Sequence, residues 1–228
     1  FNHSDKPLDF LKGVYNLLKE NSIFIFEQPN FTVGVLSLKF DQIYHEHVSY
    51  FTARNIKSIL DYSNLKILSL SKNKYHGGSL RTVAAKKNSS LKEFKIDKFI
   101  NYENKKSIYK LEFYKKMIKK INYKKKFLLS TLINLSTKGY VIAGVGAGAK
   151  SNTFLTFYGL DYKIIKFLTD SSLFKKNKYT PVTRIIIKDD KELIKYKKIA
   201  CIILSWNISN LVINKIKKLN KKIKIIHT

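Results

Sequence analysis

A short run in the first quarter of the chain carries the densest set of proton-transfer groups. Residues 41–50 are Asp-Gln-Ile-Tyr-His-Glu-His-Val-Ser-Tyr, which places Tyr44, His45, Glu46 and His47 side by side. Imidazole, carboxylate and phenol groups together cover the range of pKa values that proton transfer needs. If the run is extended, alternate residues share a face, so we expect the two histidines on one face and the phenol and carboxylate on the other. The run therefore predicts general acid–base chemistry.

Two other interpretations of this run are open. It is compatible with a polar loop whose histidines cap nearby backbone groups. It is also compatible with a metal site that takes His45 and His47 as two ligands. The third ligand would then be His76 or His3. Because such a site would recruit ligands across long separations in the chain, we expect no metal to be bound by these residues.

A second polar cluster, Tyr-His-Gly-Gly-Ser-Leu-Arg, occupies residues 75–81. Its two glycines allow the backbone to approach a ligand closely or to make a tight turn. Ser79 and Arg81 carry groups that bind an anionic or hydroxylated ligand. The alternative is a hairpin turn in which the histidine is incidental. The candidate binding residues are His76, Gly77, Gly78, Ser79 and Arg81.

A third cluster is glycine-rich and lies between a predicted strand and a predicted helix. Residues 143–150 are Ala-Gly-Val-Gly-Ala-Gly-Ala-Lys. Backbone amides at such a helix start can hold a phosphate or pyrophosphate. Asp170 ends the next predicted strand, about where a ribose-binding acid is expected. The candidates within the turn are Gly144, Gly146, Ala147, Gly148 and Lys150, and a tight turn without a ligand is the alternative.

Trp206 and Asn207 follow a predicted strand at residues 199–204. The carboxyl edge of a parallel sheet is where α/β proteins bind their ligands. We therefore expect both side chains to line the same cleft as the glycine-rich turn.

The elements that position these clusters follow from hydrophobic periodicity. In the first part of the chain we predict helices at 7–18 and 52–62, strands at 22–27, 65–70 and 80–85, and a loop through Gly34. We expect the last two strands to form an antiparallel pair. This order is typical of the closing half of an open α/β sheet.

The remainder of the chain predicts long helices followed by a second sheet. Residues 91–137 have helical spacing with neither proline nor glycine. Strands are then predicted at 141–143, 164–169, 184–187, 199–204 and 223–226, and helices at 151–158, 191–196 and 208–219. Alternating strands and helices favour a small parallel α/β domain. The predicted parts are therefore 1–88, a helical connector at 89–137, and a Rossmann-like domain at 138–228.

The composition limits the classes of partner. The net charge is +28, yet all but three of the 44 basic residues are lysines, spread along the chain. Bidentate recognition of bases and phosphates favours arginine, so we expect a solvated lysine surface and no nucleic-acid partner. No apolar run approaches the roughly 20 residues of a membrane helix, and no signal peptide opens the chain. We expect a cytoplasmic protein without a membrane partner, and the single Cys201 excludes an internal disulfide framework.

Taken in order, the motifs resemble the sugar C-methyltransferase family. The resemblance rests on residues 40–51, on 76–81, on the run 144–150, and then on Asp170, Lys178-Tyr179-Thr-Pro181 and Leu204-Ser-Trp-Asn207. These S-adenosylmethionine-dependent enzymes methylate a carbon of nucleotide-linked keto-deoxysugars. The resemblance implies the second half of a class I methyltransferase sheet followed by a small Rossmann-like domain.

The resemblance also implies roles for individual residues. His47 would be the base that removes a proton beside the ketone, with Glu46 holding its tautomer or sharing the proton step. Tyr44 would donate a hydrogen bond to the enolate oxygen, and His3 would be a second polar contact. The nucleoside diphosphate would lie on the glycine-rich turn, and the remaining substrate contacts would come from His45, Tyr179, Trp206, Asn207 and the 76–81 turn.

The chain departs from the family's pattern at its start. Members begin with a zinc-binding domain and the half-domain that carries the S-adenosylmethionine loop, and neither is found in these residues. We therefore expect a C-terminal fragment, inactive alone, with zinc and most of the cofactor site in the missing part. Ser151 and Val182 stand where the family more often has glycine. The alternative functions are an NAD-dependent oxidoreductase built on the glycine turn and Asp170, and a non-catalytic nucleotide-sugar-binding module.

Overall fold

The computed structural model describes residues 1–227, apart from the side chain of His76. The chain divides into two compact units. The first consists of Phe1–Lys39 and His45–Ile118, and the second of Phe40–Tyr44 and Lys119–Thr228. The polar run is therefore shared between the units, because its first residues fold with the second unit and the rest with the first.

The first unit is built on a three-stranded antiparallel sheet in the order β1-β3-β2. Its elements are α1 (Pro7–Leu17), β1 (Phe24–Pro29), α2 (Phe31–Leu36), α3 (Ala53–Tyr62), β2 (Leu65–Asn73), β3 (Ser79–Lys86) and α4 (Asp97–Lys105). The predicted antiparallel pair at 65–70 and 80–85 is confirmed as β2 and β3. Leu11, Ile56 and Leu60, which lie at helical spacing on α1 and α3, are fully buried in the core of this unit. Burying each such side chain contributes about 1.5–3 kcal/mol.

Two expectations for the first unit are wrong. The predicted loop through Gly34 is a helix, α2, because the Asn30 side chain caps it by accepting a hydrogen bond from the Val33 amide at 3.4 Å. The run after residue 43 is not extended, since the chain bends at Tyr44 and turns at the next two residues. The two histidines of the run therefore do not share a face, and only His47 is buried.

The second unit contains a five-stranded parallel sheet in the order β6-β5-β4-β7-β8. Its strands are β4 (Val141–Val145), β5 (Phe167–Thr169), β6 (Ile187–Lys188), β7 (Ile199–Ile203) and β8 (Lys224–Ile226). The helices are α5 (Leu111–Thr137), within which the boundary between the units falls, α6 (Ala149–Tyr158) and α7 (Ser209–Leu219). Every residue of β7 is buried, as expected for a parallel strand covered on both faces. The predicted α/β class and the parallel second sheet are confirmed.

Two predicted elements of the second unit are shorter or tighter than expected. The strand predicted at 184–187 is reduced to Ile187–Lys188, because Val182 and Arg184 have left-handed φ angles of 63° and 51°. The helix predicted at 191–196 is a 3-10 helix at Asp190–Lys195. Among residues 1–227, no helix combines the length and the apolar character that crossing a bilayer requires.

The order of the strands determines where a ligand can bind in this unit. Successive connections add β5 and β6 on one side of β4 and β7 and β8 on the other. In such doubly wound sheets the ligand crevice lies at the carboxyl ends of the strands, where the order reverses. The candidate site is therefore expected just beyond β4 and β7.

Candidate functional site

The turn after β4 can be made only with glycine at its first position. Gly146 has a φ of 102°, and its amide donates a hydrogen bond to the Thr169 carbonyl at 2.8 Å. A Cβ atom on this residue would lie 2.0 Å from the Ser205 Oγ. Gly148, by contrast, has open space around its Cα and stands immediately before α6. Its amide donates to the buried Ser151 hydroxyl at 3.3 Å, which gives that serine a role in starting the helix.

Asp170 holds this turn in place. Its Oδ2 accepts hydrogen bonds from the Ala147 amide at 2.9 Å and from Lys175 Nζ at 3.1 Å. Its Oδ1 accepts from the Ser172 amide at 2.9 Å. Burial acts to raise the pKa of Asp170, but the hydrogen bonds from Ser172, Ala147 and Lys175 outweigh it, so the pKa is lowered. The carboxylate thus stays charged and ties the turn to the end of β5.

Gly144 lies inside β4 rather than in the turn. A Cβ atom there would be 2.5 Å from Leu168 Cδ2 and 3.0 Å from Leu204 Cδ1. Close packing between neighbouring strands therefore accounts for this glycine.

Trp206, Lys150 and Asp41 form a polar group in the second unit. The indole Nε1 of Trp206 donates a hydrogen bond to Asp41 Oδ2, and Lys150 Nζ lies 5.0 Å from the centre of the indole ring. Asp41 is only 3% exposed. Burial lowers the pKa of Lys150, and the nearby Asp41 carboxylate opposes that effect. Asn207 is the next residue and is partly buried.

The segment that carries Asp41 packs on α6 through aromatic rings. The Phe40 ring centroid lies 4.6 Å from that of Phe157 and 5.9 Å from that of Tyr158. Burial raises the pKa of Tyr158, and the Asp41 carboxylate adds to the shift. The start of the polar run is thereby fixed to α6 of the second unit, and Tyr44 belongs to this same segment.

His47 is buried in the first unit, with 8% of its surface exposed. Its ring centroid lies 5.2 Å from that of His3 and 6.2 Å from that of Tyr50. The amides of Val48 and Ser49 donate to the Asn2 carbonyl at 3.1 and 3.2 Å, which holds the first residues of the chain against this segment. His45 and Glu46 are exposed. The structure thus brings together two of the predicted proton-transfer residues, His3 and His47.

The 75–81 cluster forms the hairpin between β2 and β3. Gly77 and Gly78 have positive φ angles of 83° and 125°, and the side chain of His76 lies outside the described part of the chain. Ser79 and Arg81 both bind Glu27 of β1: the hydroxyl donates to Oε1, and Arg81 Nε donates to Oε2 at 2.8 Å. The hydrogen bond from Ser79 is the largest influence on Glu27, whose pKa is lowered. Glu27 was not expected from the sequence, because its partners lie more than fifty residues away.

A second buried carboxylate, Glu103, was also missed. It is 3% exposed and accepts hydrogen bonds from Thr32 Oγ1 at 3.0 Å and from the Ala53 amide at 2.7 Å. The Tyr109 hydroxyl donates to it at 2.5 Å. A carboxylate at the start of α3 satisfies amides that the helix itself leaves unpaired. Glu103 therefore fixes α3 to α4, and no ligand is needed to explain it.

Tyr179, the possible metal ligands and Cys201 are the candidates that remain. Tyr179 is 64% exposed and forms an isolated bridge with Ile186. Within the described part of the chain, no cluster of three or more His, Cys, Asp and Glu side chains could hold a metal ion. Burial raises the pKa of the Cys201 thiol to about 12, as expected for a cysteine inside a sheet.

Comparison with known proteins places this arrangement in context. Residues 74–227 match the family model described as the C-methyltransferase C-terminal domain. Over 215 residues the chain is 24% identical to the C-methyltransferase NovU of Streptomyces niveus, covering 94% of this chain and 51% of that protein. The chain thus spans about half the length of the curated relative that it matches.

Proposed function

Since the chain belongs to the C-methyltransferase C-terminal domain family, we propose that the protein is a methyltransferase that acts on carbon. The match over residues 74–227 carries this proposal, and the resemblance drawn from the sequence motifs is confirmed at the level of the family. We further propose that the substrate is a nucleoside-diphosphate-linked keto-deoxysugar and that the methyl donor is S-adenosylmethionine. The methyl group would be added beside the ketone.

The proposed chemistry needs a base and a group that stabilises negative charge. A carbon beside a ketone becomes nucleophilic only when a base removes its proton and the resulting enolate is stabilised. We assign the base to His47, because it is the one buried histidine among those whose side chains are described. Its neighbour His3, at 5.2 Å between ring centroids, would be a second polar contact. Tyr44 would donate to the enolate oxygen, and Glu46 would share the proton step.

The second unit would hold the nucleotide. Amides at the start of α6 and the cation of Lys150 favour a diphosphate. Trp206 and Asn207 would line the same edge of the sheet. The sugar would be covered by the 76–81 hairpin and contacted by His45 and Tyr179. In this proposal the chain consists of the three regions predicted from the sequence: the second half of a methyltransferase domain at 1–88, a helical connector at 89–137 and a Rossmann-like domain at 138–228.

The first unit does not fit a site for the methyl donor. The sheet of the first unit is antiparallel, and none of its strands leads through a glycine-rich turn into an α-helix. When bound, S-adenosylmethionine supplies an electrophilic methyl group. We propose that most of its site, and any zinc-binding domain, lies in residues outside these 228. Residues 1–228 alone should therefore bind it weakly or not at all.

The two alternatives predict different behaviour. An NAD-dependent oxidoreductase is not favoured by the family match, and it leaves the Tyr44–His47 run without a role. It would bind NADH with a change in nicotinamide fluorescence. A non-catalytic nucleotide-sugar-binding module would bind the sugar nucleotide without changing it.

Methyl transfer itself tests the proposal. The product of the complete reading frame containing these residues would be incubated with S-adenosylmethionine labelled with ¹³C in its methyl group and with nucleoside-diphosphate keto-deoxysugars. We expect the label on a carbon beside the ketone, observed by NMR. Label found only on oxygen or nitrogen, or sugar nucleotide that binds and is recovered unlabelled, would contradict the proposed function.

A further inference from the structure

Three polar side chains from two neighbouring strands converge on the carboxylate of Glu27 in the first unit. Arg81 Nε donates to Oε2 at 2.8 Å, Asn73 Nδ2 donates to the same oxygen at 3.5 Å, and the Ser79 hydroxyl donates to Oε1. Glu27 and Arg81 are directly opposite each other in the pairing of β1 with β3. Because Asn73 ends β2, this one carboxylate of β1 binds residues on both arms of the hairpin between β2 and β3.

The tip of this hairpin is fixed to the segment that follows β1. The Asn30 amide donates to the Gly78 carbonyl at 3.0 Å. A Cβ atom on Gly78 would lie 2.9 Å from Val33 Cγ1, so the hairpin backbone packs directly on α2. The hairpin is therefore held at its tip by backbone contacts and along its arms by Glu27. This arrangement favours a fixed wall over a mobile lid.

Most of the Arg81 guanidinium stays available to a ligand. Glu27 binds Nε alone, and neither Nη atom has a hydrogen-bond partner among the residues whose side chains the structure describes. The Arg81 side chain is 54% exposed, against 22% for that of Glu27. Ser79 differs, because it is buried and donates its only hydroxyl proton to Glu27. Ser79 therefore supports the hairpin, and Arg81 is the member of this network that can reach a ligand.

We propose that Glu27 is a positioning residue that orients Arg81 toward the sugar of the substrate, an inference that rests on the function proposed above. By holding Nε, Glu27 fixes the plane of the guanidinium, so that both Nη groups present their N–H donors in one direction. Such donors bind the acceptor oxygens that a keto sugar carries. An exposed ion pair without this role would contribute little to stability or to binding.

Calorimetry tests the role with two kinds of probe. The product of the complete reading frame would be titrated with the nucleoside-diphosphate keto-deoxysugars of the methyl-transfer assay and with the nucleoside diphosphates alone. Glu27→Ala and Arg81→Lys should each weaken binding of the sugar nucleotide about tenfold, the value of one charge-assisted hydrogen bond. Binding of the nucleoside diphosphate should not change, because we propose that the second unit holds it.

Two further variants serve as controls. Glu27→Gln keeps an acceptor oxygen for Arg81 Nε, so it should fold and weaken sugar-nucleotide binding only about threefold. Asp61→Ala is matched to Glu27→Ala, since Asp61 is a carboxylate of the same unit that accepts from a cation, Lys57 Nζ, at 2.7 Å. Asp61→Ala should change the affinity for neither probe.

Combining Glu27→Ala with Arg81→Lys separates positioning from a general effect on the fold. If Glu27 acts through Arg81, the double variant should bind the sugar nucleotide no more weakly than Arg81→Lys alone. Losses that multiply to about a hundredfold would show that the two residues act independently and would overturn the inference.

Exchange of the Arg81 Nε proton with water gives a readout that needs no ligand. Measured by ¹⁵N NMR, the exchange should be slow in the unaltered protein and faster in Glu27→Ala. Equal exchange rates, equal sugar-nucleotide affinities in these two proteins, or no sugar-nucleotide binding at all would overturn the inference. Methyl transfer to carbon with unchanged affinity in Glu27→Ala would contradict the positioning role and leave the proposed function standing. The predicted loss of affinity without any methyl transfer would do the reverse.

Discussion

The indole of Trp206 donates a hydrogen bond to the carboxylate of Asp41, a residue 165 positions earlier in the chain. Both belong to the second unit. Asp41 opens the acid–base run, and Trp206 stands at the carboxyl edge of the parallel sheet. The contact therefore fixes the start of this run, Phe40–Tyr44, to the edge of the second unit that we propose holds the nucleotide.

Removing the Asp41 carboxylate should be detectable at Trp206, the only tryptophan in the chain. Asp41→Ala should lower the free energy of unfolding by about 2 kcal/mol, because a buried hydrogen bond to a charged acceptor is lost. The tryptophan emission should move to longer wavelength as water replaces the carboxylate. Asp41→Asn keeps an acceptor oxygen and should recover most of both effects. Identical emission spectra for Asp41→Ala and the unaltered protein would show that the contact does not form in solution.

The glycine turn offers two substitutions with opposite expectations. Gly146→Ala forces a side chain onto a positive φ and into Ser205, so it should cost about 1–3 kcal/mol of stability and weaken nucleotide binding. Gly148 has a φ of −94°, and a Cβ atom there would have no heavy atom within 4 Å. Gly148→Ala should therefore change the free energy of unfolding by less than about 1 kcal/mol. Urea denaturation of the two variants measures the difference. Equal losses would contradict the close approach of Gly146 to Ser205.

The Tyr109 phenol makes stability depend on pH at the alkaline end. Burial, and then the hydrogen bond to Glu103, raise the pKa of Tyr109 to about 12. Because the folded state holds this proton more tightly than the unfolded state, whose tyrosine pKa is about 10, the contribution is complete below about pH 10 and is lost as the pH rises through about 12. Tyr109→Phe should remove that part of the pH dependence of unfolding. Tyr123→Phe, on an exposed tyrosine, should retain it, and a pH profile shared by both variants would count against the buried network.

Val182 is predicted to be a position where glycine stabilises the protein. A β-branched residue at a φ of 63° is strained by about 1–2 kcal/mol, which exceeds the roughly 0.5–1 kcal/mol that glycine adds to unfolded-state entropy. Because Val182 is 79% exposed, little packing is lost. We expect Val182→Gly to raise the free energy of unfolding by up to about 1 kcal/mol. Val14→Gly, inside α1, should lower it, and a loss of stability in Val182→Gly would show that the left-handed turn is not populated.

Local patterns predicted much of this fold, and what they missed are local turns and caps that residue periodicity does not reveal. Thr52 before a helical run indicated α3, and its hydroxyl does accept from the Asn55 amide. Asn30 is the same kind of cap for α2. That helix has only six residues, and because one of them is Gly34, the sequence was interpreted as a loop. The glycine that the resembling family more often has at position 182 was the one sign of a left-handed turn there, but valine and arginine do not themselves favour such angles, so the shortened β6 was not predicted.

The sequence predicted the local elements of the candidate site, but not the hydrogen bonds that join them. Periodicity and the glycine run correctly indicated a turn after β4, because a strand, a turn and a helix are each local. Nothing in the sequence indicates that Asp170 would bind the Ala147 amide and Lys175, or that Thr169 would be left without a partner. The turn at His45 and Glu46 likewise removed the expected alternation of faces, because a bend in a polar run has no periodic signal.

Proton exchange beside the ketone tests the central claim most directly, because it requires the base and the bound sugar but no methyl donor. The product of the complete reading frame would be incubated in D₂O with a nucleoside-diphosphate keto-deoxysugar, and deuterium on the carbon beside the ketone followed by NMR. We predict exchange that falls about 10²–10⁴-fold in His47→Ala, the usual contribution of a general base, and that is unchanged in His227→Ala, on an exposed histidine. Exchange at the same rate in His47→Ala, or none in the unaltered protein with bound substrate, would contradict the account.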